Sequence, residues 1–255
     1  MKRIALVGFG TIGQYLFRHI NSQADIQVSC VYEANKEIAK TIPDNLAVDT
    51  QSEFVDFIAS NKIDLVVETA THQAVKDLAP GILRYSNIVV FSTCVFADEE
   101  FEAETMRLCK QYSRKIYIPH GAILGLDGIR DGRQELQSVR ITTIKRPANL
   151  GVMHAEKTVL FDGATRSACK LYPRNVNVHA SIAIAGLGFD RTRSRVIADP
   201  NSEGNVHIID AILEGMRFKI EVCSNPLGLV TGAYTPVSAF NSISKLFGGS
   251  GYAII

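Results

Sequence analysis

A short apolar run, Ile4-Ala5-Leu6-Val7, leads straight into Gly8-Phe9-Gly10-Thr11-Ile12-Gly13, and a helix-like stretch over residues 14–20 follows. Strand, glycine turn and helix in that order restrict the chain to a dinucleotide-binding α/β start. The three glycines have separate roles. The first permits a tight turn, the second lets backbone approach a pyrophosphate, and the third lets helix and strand pack closely. The N–H groups that open the helix, at Thr11, Ile12 and Gly13, favour the negative charge of the phosphates. A second apolar run, Ile26 to Tyr32, ends at Glu33, twenty residues after Gly13. A carboxylate at that distance hydrogen-bonds a ribose 2′-hydroxyl and disfavours a 2′-phosphate. NAD is the expected cofactor, with Lys36 nearby leaving NADP open.

Bulk properties exclude other classes. A formal net charge of +1 gives no electrostatic case for nucleic acid or a membrane surface. No apolar stretch is long enough to span a bilayer. The first strand begins too early to leave room for a signal peptide. The five cysteines, Cys30, Cys94, Cys109, Cys169 and Cys223, form no C-x-x-C pair. Neither a metal site nor a disulfide framework is expected, and a reducing cytoplasm is.

Up to residue 119 strand-like and helix-like segments alternate, the grammar of a doubly wound parallel sheet. Helices are expected over 52–60, 73–85 and 99–113, the last capped by Asp98, with strands over 63–68, 87–92 and 115–119. Ala70, Thr71 and His72 after one strand, and Ser92 at the end of the next, are expected to contact the cofactor. From residue 120 the pattern changes. Strands with alternating polarity are expected over 137–145, 158–161, 193–198 and 218–223, and helices over 164–171 and 177–185. The expected architecture is a Rossmann domain over 1–119 and a smaller α+β substrate and dimerisation domain over 120–231. A helix over 236–247, within a C-terminal segment at about 232–255, returns to the first domain. The apolar tail Tyr252-Ala253-Ile254-Ile255 suggests a homodimer or higher homo-oligomer.

Several segments carry a resemblance. They are Glu68 to Val75; Ile116 through His120-Gly121-Ala122 to Asp127; Phe161-Asp162-Gly163-Ala164 with Arg166, Ala168 and Lys170; Pro173 to Val178; Ala198-Asp199-Pro200; and Asn205-Val206-His207. In this order they resemble the L-aspartate dehydrogenases, small two-domain amino-acid dehydrogenases linked to NAD biosynthesis. The resemblance implies that the Ala122 amide and Asn177 contact the cofactor and that His207 is the catalytic acid/base. It also implies oxidative deamination of L-aspartate to oxaloacetate and ammonia through iminoaspartate. The chain departs from the family pattern at His120, where serine is common, at Cys94 and Val95, where small residues stand, and in a short stretch after Pro147.

Such a reaction takes a hydride from Cα and a proton from the amino group. A histidine suits the proton work because its ordinary pKa, about 6.5, is easily tuned around neutrality. His207 follows the turn-forming run Asp199 to Gly204, which places it on a loop. A dicarboxylate substrate needs cationic partners. Candidates are Lys145, Arg146, Arg166, Lys170 and Arg174, with His120 as a further contact and Lys145 and Arg166 preferred. Two rivals remain: a related amino-acid dehydrogenase or imine reductase with another substrate, and a non-catalytic NAD-binding sensor.

Overall fold

Parallel strands buried on both faces read as near-continuous apolar runs, as Ile4–Val7, Leu65–Val67 and Ile88–Val90 do in the middle of the first sheet. The computed structural model describes residues 1–227 and 231–248, so the apolar tail lies outside the described residues. The chain divides into two units, one holding Met1–Pro119 and the segment from Ala239, the other His120–Ser238.

The first unit runs β1 (Lys2–Val7), α1 (Thr11–Asn21), β2 (Ile26–Tyr32), α2 (Lys36–Ala39), β3 (Ala47–Val48), α3 (Gln51–Ser60), β4 (Leu65–Glu68), α4 (His72–Ile82), β5 (Asn87–Val90), α5 (Glu99–Tyr112) and β6 (Ile116–Tyr117). The strands order as β3-β2-β1-β4-β5-β6, all parallel. The order reverses between β1 and β4, and ligands of such sheets bind outside the strands' carboxyl ends at that reversal. Local signals agree with the elements. Thr50 and Glu53 form a reciprocal cap on α3, and Asp98 accepts from the Glu100 and Phe101 amides at the start of α5.

The second unit runs α6 (Leu126–Asp131), β7 (Leu136–Lys145), β8 (Thr158–Ala164), α7 (Thr165–Leu171), α8 (Asn177–Ala185), β9 (Arg193–Ala198), β10 (Asn205–Leu213) and β11 (Met216–Ser224). Its sheet orders as β11-β10-β7-β9-β8, with β7 and β9 parallel and the other neighbours antiparallel. Side chains alternate across the sheet. Val139, Ile141, Ile209 and Ala211 meet Ile129 of α6 and Ile182 of α8 in one core. On the other face Arg140, Arg193 and Arg195 gather round Asp162 at 3.6, 3.4 and 3.7 Å. These three arginines and Asp162 form a solvated ion cluster.

The final helix, α9 (Tyr234–Leu246), supplies Ala239 and Ile243, both 0% exposed, to the core that contains Ile4, Leu6 and Leu16 of the first unit. Among the described residues no helix is long and apolar enough to cross a membrane, and no cluster of His, Cys, Asp and Glu could hold a metal ion.

Candidate active site

Two sets of functional groups lie in the two units. The first is the glycine turn after β1. Gly8 has φ +94°, and a Cβ there would meet the Thr69–Ala70 backbone at 2.9 Å. A Cβ on Gly13 would lie 2.2 Å from the Gly8 carbonyl oxygen, so only glycine lets α1 start this close to β1. Around Gly10 the same construction meets nothing within 4 Å. That open cradle, at a helix start with no side-chain cap and no acid in its first turn, fits a pyrophosphate. Glu33 holds the loop from the end of β2: its carboxylate accepts from the Phe9 amide at 2.7 Å and the Asn35 amide at 2.8 Å.

The turns after β4 and β5 are tied by a residue to which sequence reasoning gave no role. Glu68 is buried at the end of β4 and accepts from the Ala70 amide (2.7 Å), the Phe91 amide (3.1 Å), the Ser92 amide (3.0 Å) and the Ser92 hydroxyl (2.7 Å). Burial pushes its carboxyl up, against the pull of those hydrogen bonds. An acid closing an otherwise apolar parallel strand was the signal available. Ser92, expected at the cofactor, donates both its amide and its hydroxyl to Glu68, which fixes the turn it stands on. Thr71 caps α4 by accepting from the Ala74 amide at 3.2 Å, and His72 is the first residue of that helix rather than its cap. Ala70 and Thr71 are exposed at this turn.

The second set lies on the helix-covered face of the second sheet. His207 is not on a loop. It is the third residue of β10, paired with Thr143 of β7 and only 3% exposed. The turn-forming run ends at Gly204, and the strand starts immediately after it. His207 Nδ1 lies 2.8 Å from the Thr143 hydroxyl, which lies 2.6 Å from His179 Nε2 on α8. His179 Nδ1 lies 2.8 Å from the Ser194 hydroxyl of β9, and Ser194 lies 2.7 Å from the Thr165 hydroxyl of α7. Sequence reasoning missed these partners because they come from four separate elements.

Lys145, two residues beyond Thr143 on the same face of β7, is 3% exposed and donates to the Asn175 side chain at 3.2 Å. Burial brings its ammonium down to about 8. Burial, then the Lys145 charge, pushes His207 down to about 3, far below the near-neutral value expected of a surface histidine. His179 is driven well below its usual range by burial, His207 and Lys145. Asn205 is buried on the same face of β10, and its Oδ1 has no hydrogen-bond partner among the described residues.

Other candidates sort differently. Arg166 is engaged: its guanidinium makes two 2.7 Å bonds to Asp190 and lies over the Phe189 ring. Arg146 donates to the Ser202 carbonyl and braces the turn before β10. Lys170 and Arg174 are exposed. Asn177 is the first residue of α8, with Val176 at the cap position, and its carbonyl accepts from Ser181. Ala122 sits in the turn closed by the Ile123 amide and the His120 carbonyl, and His120 Nδ1 is buried without a partner among the described residues.

The two buried histidines have a measurable consequence. Each has a folded pKa below its unfolded value of about 6.5. The stability they allow is complete above that value and is lost as pH falls towards the folded values. Each contributes a slope of up to about 1.4 kcal/mol per pH unit, and Glu68, raised by burial, opposes them with at most one such slope. The thermal midpoint is expected to fall by roughly 5 °C between pH 6.5 and 5. A flat profile across that window would show that one or both imidazoles are not held neutral.

Known proteins match along the same lines. Residues 8–119 match the family described as homoserine dehydrogenase, NAD binding domain, and residues 127–246 the family described as aspartate dehydrogenase, C-terminal. The L-aspartate dehydrogenase of Methanococcoides burtonii is 33% identical over 264 residues, covering 96% of this chain and 97% of its own. That of Thermotoga maritima is 32% identical over 246 residues, covering 95% and 96%. The crystal structure of aspartate dehydrogenase from Thermotoga maritima aligns with a TM-score of 0.78 at 27% identity, covering 100% of this chain and 99% of that one.

Proposed function

Since the chain belongs to the L-aspartate dehydrogenase family, we propose that it oxidises L-aspartate to iminoaspartate, with His207 as the group that takes the amino proton. The chain is an oxidoreductase acting on CH–NH2 donors with a pyridine nucleotide cofactor. The observation that carries the assignment of roles is the buried pair of His207 and Lys145, a neutral imidazole beside a cation, each 3% exposed.

When bound, NAD supplies a hydride acceptor for Cα. The backbone around Gly8, Gly10, Thr11, Ile12 and Gly13 suits its pyrophosphate, and the Glu33 carboxylate suits a ribose hydroxyl better than a 2′-phosphate. On this reading NAD is preferred to NADP, and Ala122 and Asn177 complete the cofactor contacts, as the family likeness suggests. Lys145 pairs with a substrate carboxylate. That carboxylate also acts on His207, because an added negative charge favours the imidazolium and raises a pKa that burial and the Lys145 charge together hold near 3. Substrate thereby makes its own base stronger. The amino N–H proton passes to the imidazole as the Cα–H bond breaks, and water then hydrolyses the imine to oxaloacetate and ammonia. Released iminoaspartate would serve pyridine nucleotide synthesis. The free cysteines, three of them buried, suit a reducing cytoplasm.

The test is direct. Purified protein with L-aspartate and NAD at alkaline pH is expected to generate NADH absorbance, and oxaloacetate with ammonia to consume NADH. Turnover of another amine in a substrate panel, with none of aspartate, would refute the substrate. A sensor would bind NAD and turn over nothing.

A further inference from the structure

We propose that a buried relay running from the Thr192 carbonyl through Thr165, Ser194, His179 and Thr143 fixes the tautomer of His207, placing its proton on Nδ1 and leaving Nε2 as the ring's only proton acceptor. The inference rests on the reading of His207 as the base and specifies which of its atoms acts.

The direction of every bond follows from the one group in the chain that can only accept. The Thr165 hydroxyl lies 3.0 Å from the Thr192 carbonyl oxygen, so Thr165 donates its single proton there. Thr165 must then accept from the Ser194 hydroxyl, 2.7 Å away. Ser194 has spent its proton and accepts from His179 Nδ1–H at 2.8 Å. His179 is neutral, since burial and its charged neighbour Lys145 disfavour the imidazolium, so its Nε2 is a bare acceptor. The Thr143 hydroxyl donates to it at 2.6 Å. One polar hydrogen remains for the last contact, and it belongs to His207 Nδ1, donating to Thr143 at 2.8 Å. His207 Nε2 makes no hydrogen bond among the described residues, which leaves its lone pair available.

Thr143, His179, Ser194 and Thr165 are each 0% exposed, so no water competes for these bonds. The opposite polarity would leave the Thr165 hydroxyl without a proton for the Thr192 carbonyl and put a proton on His207 Nε2, which has no acceptor among the described residues. The charged and titratable groups acting on the relay are Lys145 and the two histidines themselves. Because the chain ends on a peptide carbonyl, the relay orients the base but carries no proton away. A proton taken by Nε2 leaves from Nε2. These four residues are positioning residues, acting through His207.

The first test needs no variant. In protein with isotope-labelled histidine nitrogens, NMR is expected to show His207 and His179 each protonated at Nδ1 and bare at Nε2. A proton on His207 Nε2 would overturn the proposal. The second test cuts the relay at a distance. Ser194→Ala removes the acceptor of His179 Nδ1–H and favours the reversed polarity, which puts the proton on His207 Nε2. The expected result is a changed His207 nitrogen spectrum and kcat lowered about tenfold or more, with NADH affinity unchanged. Thr143→Val is expected to act the same way, and Thr143→Ser, which keeps the hydroxyl, to restore most of the loss. An unaltered His207 spectrum and kcat in Ser194→Ala would refute the relay. The spectrum is read without turnover, so its outcome is separate from that of replacing His207 itself.

Discussion

His207→Ala is expected to lower kcat for aspartate oxidation by about 10²–10⁴-fold while NADH binding stays within a factor of about two of the parent. The range is that of a positioned general base whose loss leaves hydride transfer to compete with an unassisted amine. Alanine also opens a small void and leaves the Thr143 hydroxyl without its donor, so some stability is lost as well. His207→Asn separates the two effects. Its side-chain amide can still donate to Thr143, yet it has no basic nitrogen. Both variants should be inactive, and the asparagine should be the more stable. Absorbance kinetics, NADH fluorescence titration and thermal midpoints measured on the same preparations decide it. An active alanine variant with normal binding would remove His207 from the chemistry.

The second large effect is on folding. Glu68→Ala takes away the shared acceptor of three backbone amides and one hydroxyl around the turns after β4 and β5. Buried donors left without partners cost about 1–3 kcal/mol each, partly recovered where water enters. A net loss of about 3–5 kcal/mol is expected in urea unfolding. Glu68→Gln is not a repair. Its amide NH2 would face N–H donors that the carboxylate now satisfies. NADH affinity should fall in both variants, because Ala70 and Ser92 belong to the turns that Glu68 holds. A Glu68→Ala protein within about 1 kcal/mol of the parent would mean that the turns hold themselves.

The first unit was legible for a physical reason. Strands buried on both faces must be apolar throughout, and a turn that presses backbone on backbone must be glycine. Gly8 and Gly13 meet that requirement in the structure. The second unit was less so, and β10 shows why. Its inward positions begin with Asn205 and His207, while its other face carries Val206, Ile208 and Ile212. The usual polarity is inverted at the functional end, so the strand reads as an extension of the preceding turn. The short helix α6, with Gly128 inside it, gave no period to detect. In the site, the position of His207 in the chain could be found and its surroundings could not. The hydroxyls of Thr143, Ser194 and Thr165 carry no signal until three strands and two helices bring them into line. Likewise Arg166 looked available until Asp190 was seen to occupy it.

One feature of the first unit sets an order on the protein's biogenesis. Ala239 and Ile243 complete a core that is otherwise built from residues before 120. On the ribosome that core stands open until the last helix has been made. At about 5–20 residues per second the delay is on the order of ten seconds. During that interval Ile4, Leu6 and Leu16 lack their final cover, a natural moment for chaperone capture. The glycine turn near Gly8 therefore rests on a foundation that α9 lays much later in synthesis, and a stop codon just before α9 would cost the nucleotide-binding unit its integrity although all six of its strands would have been made.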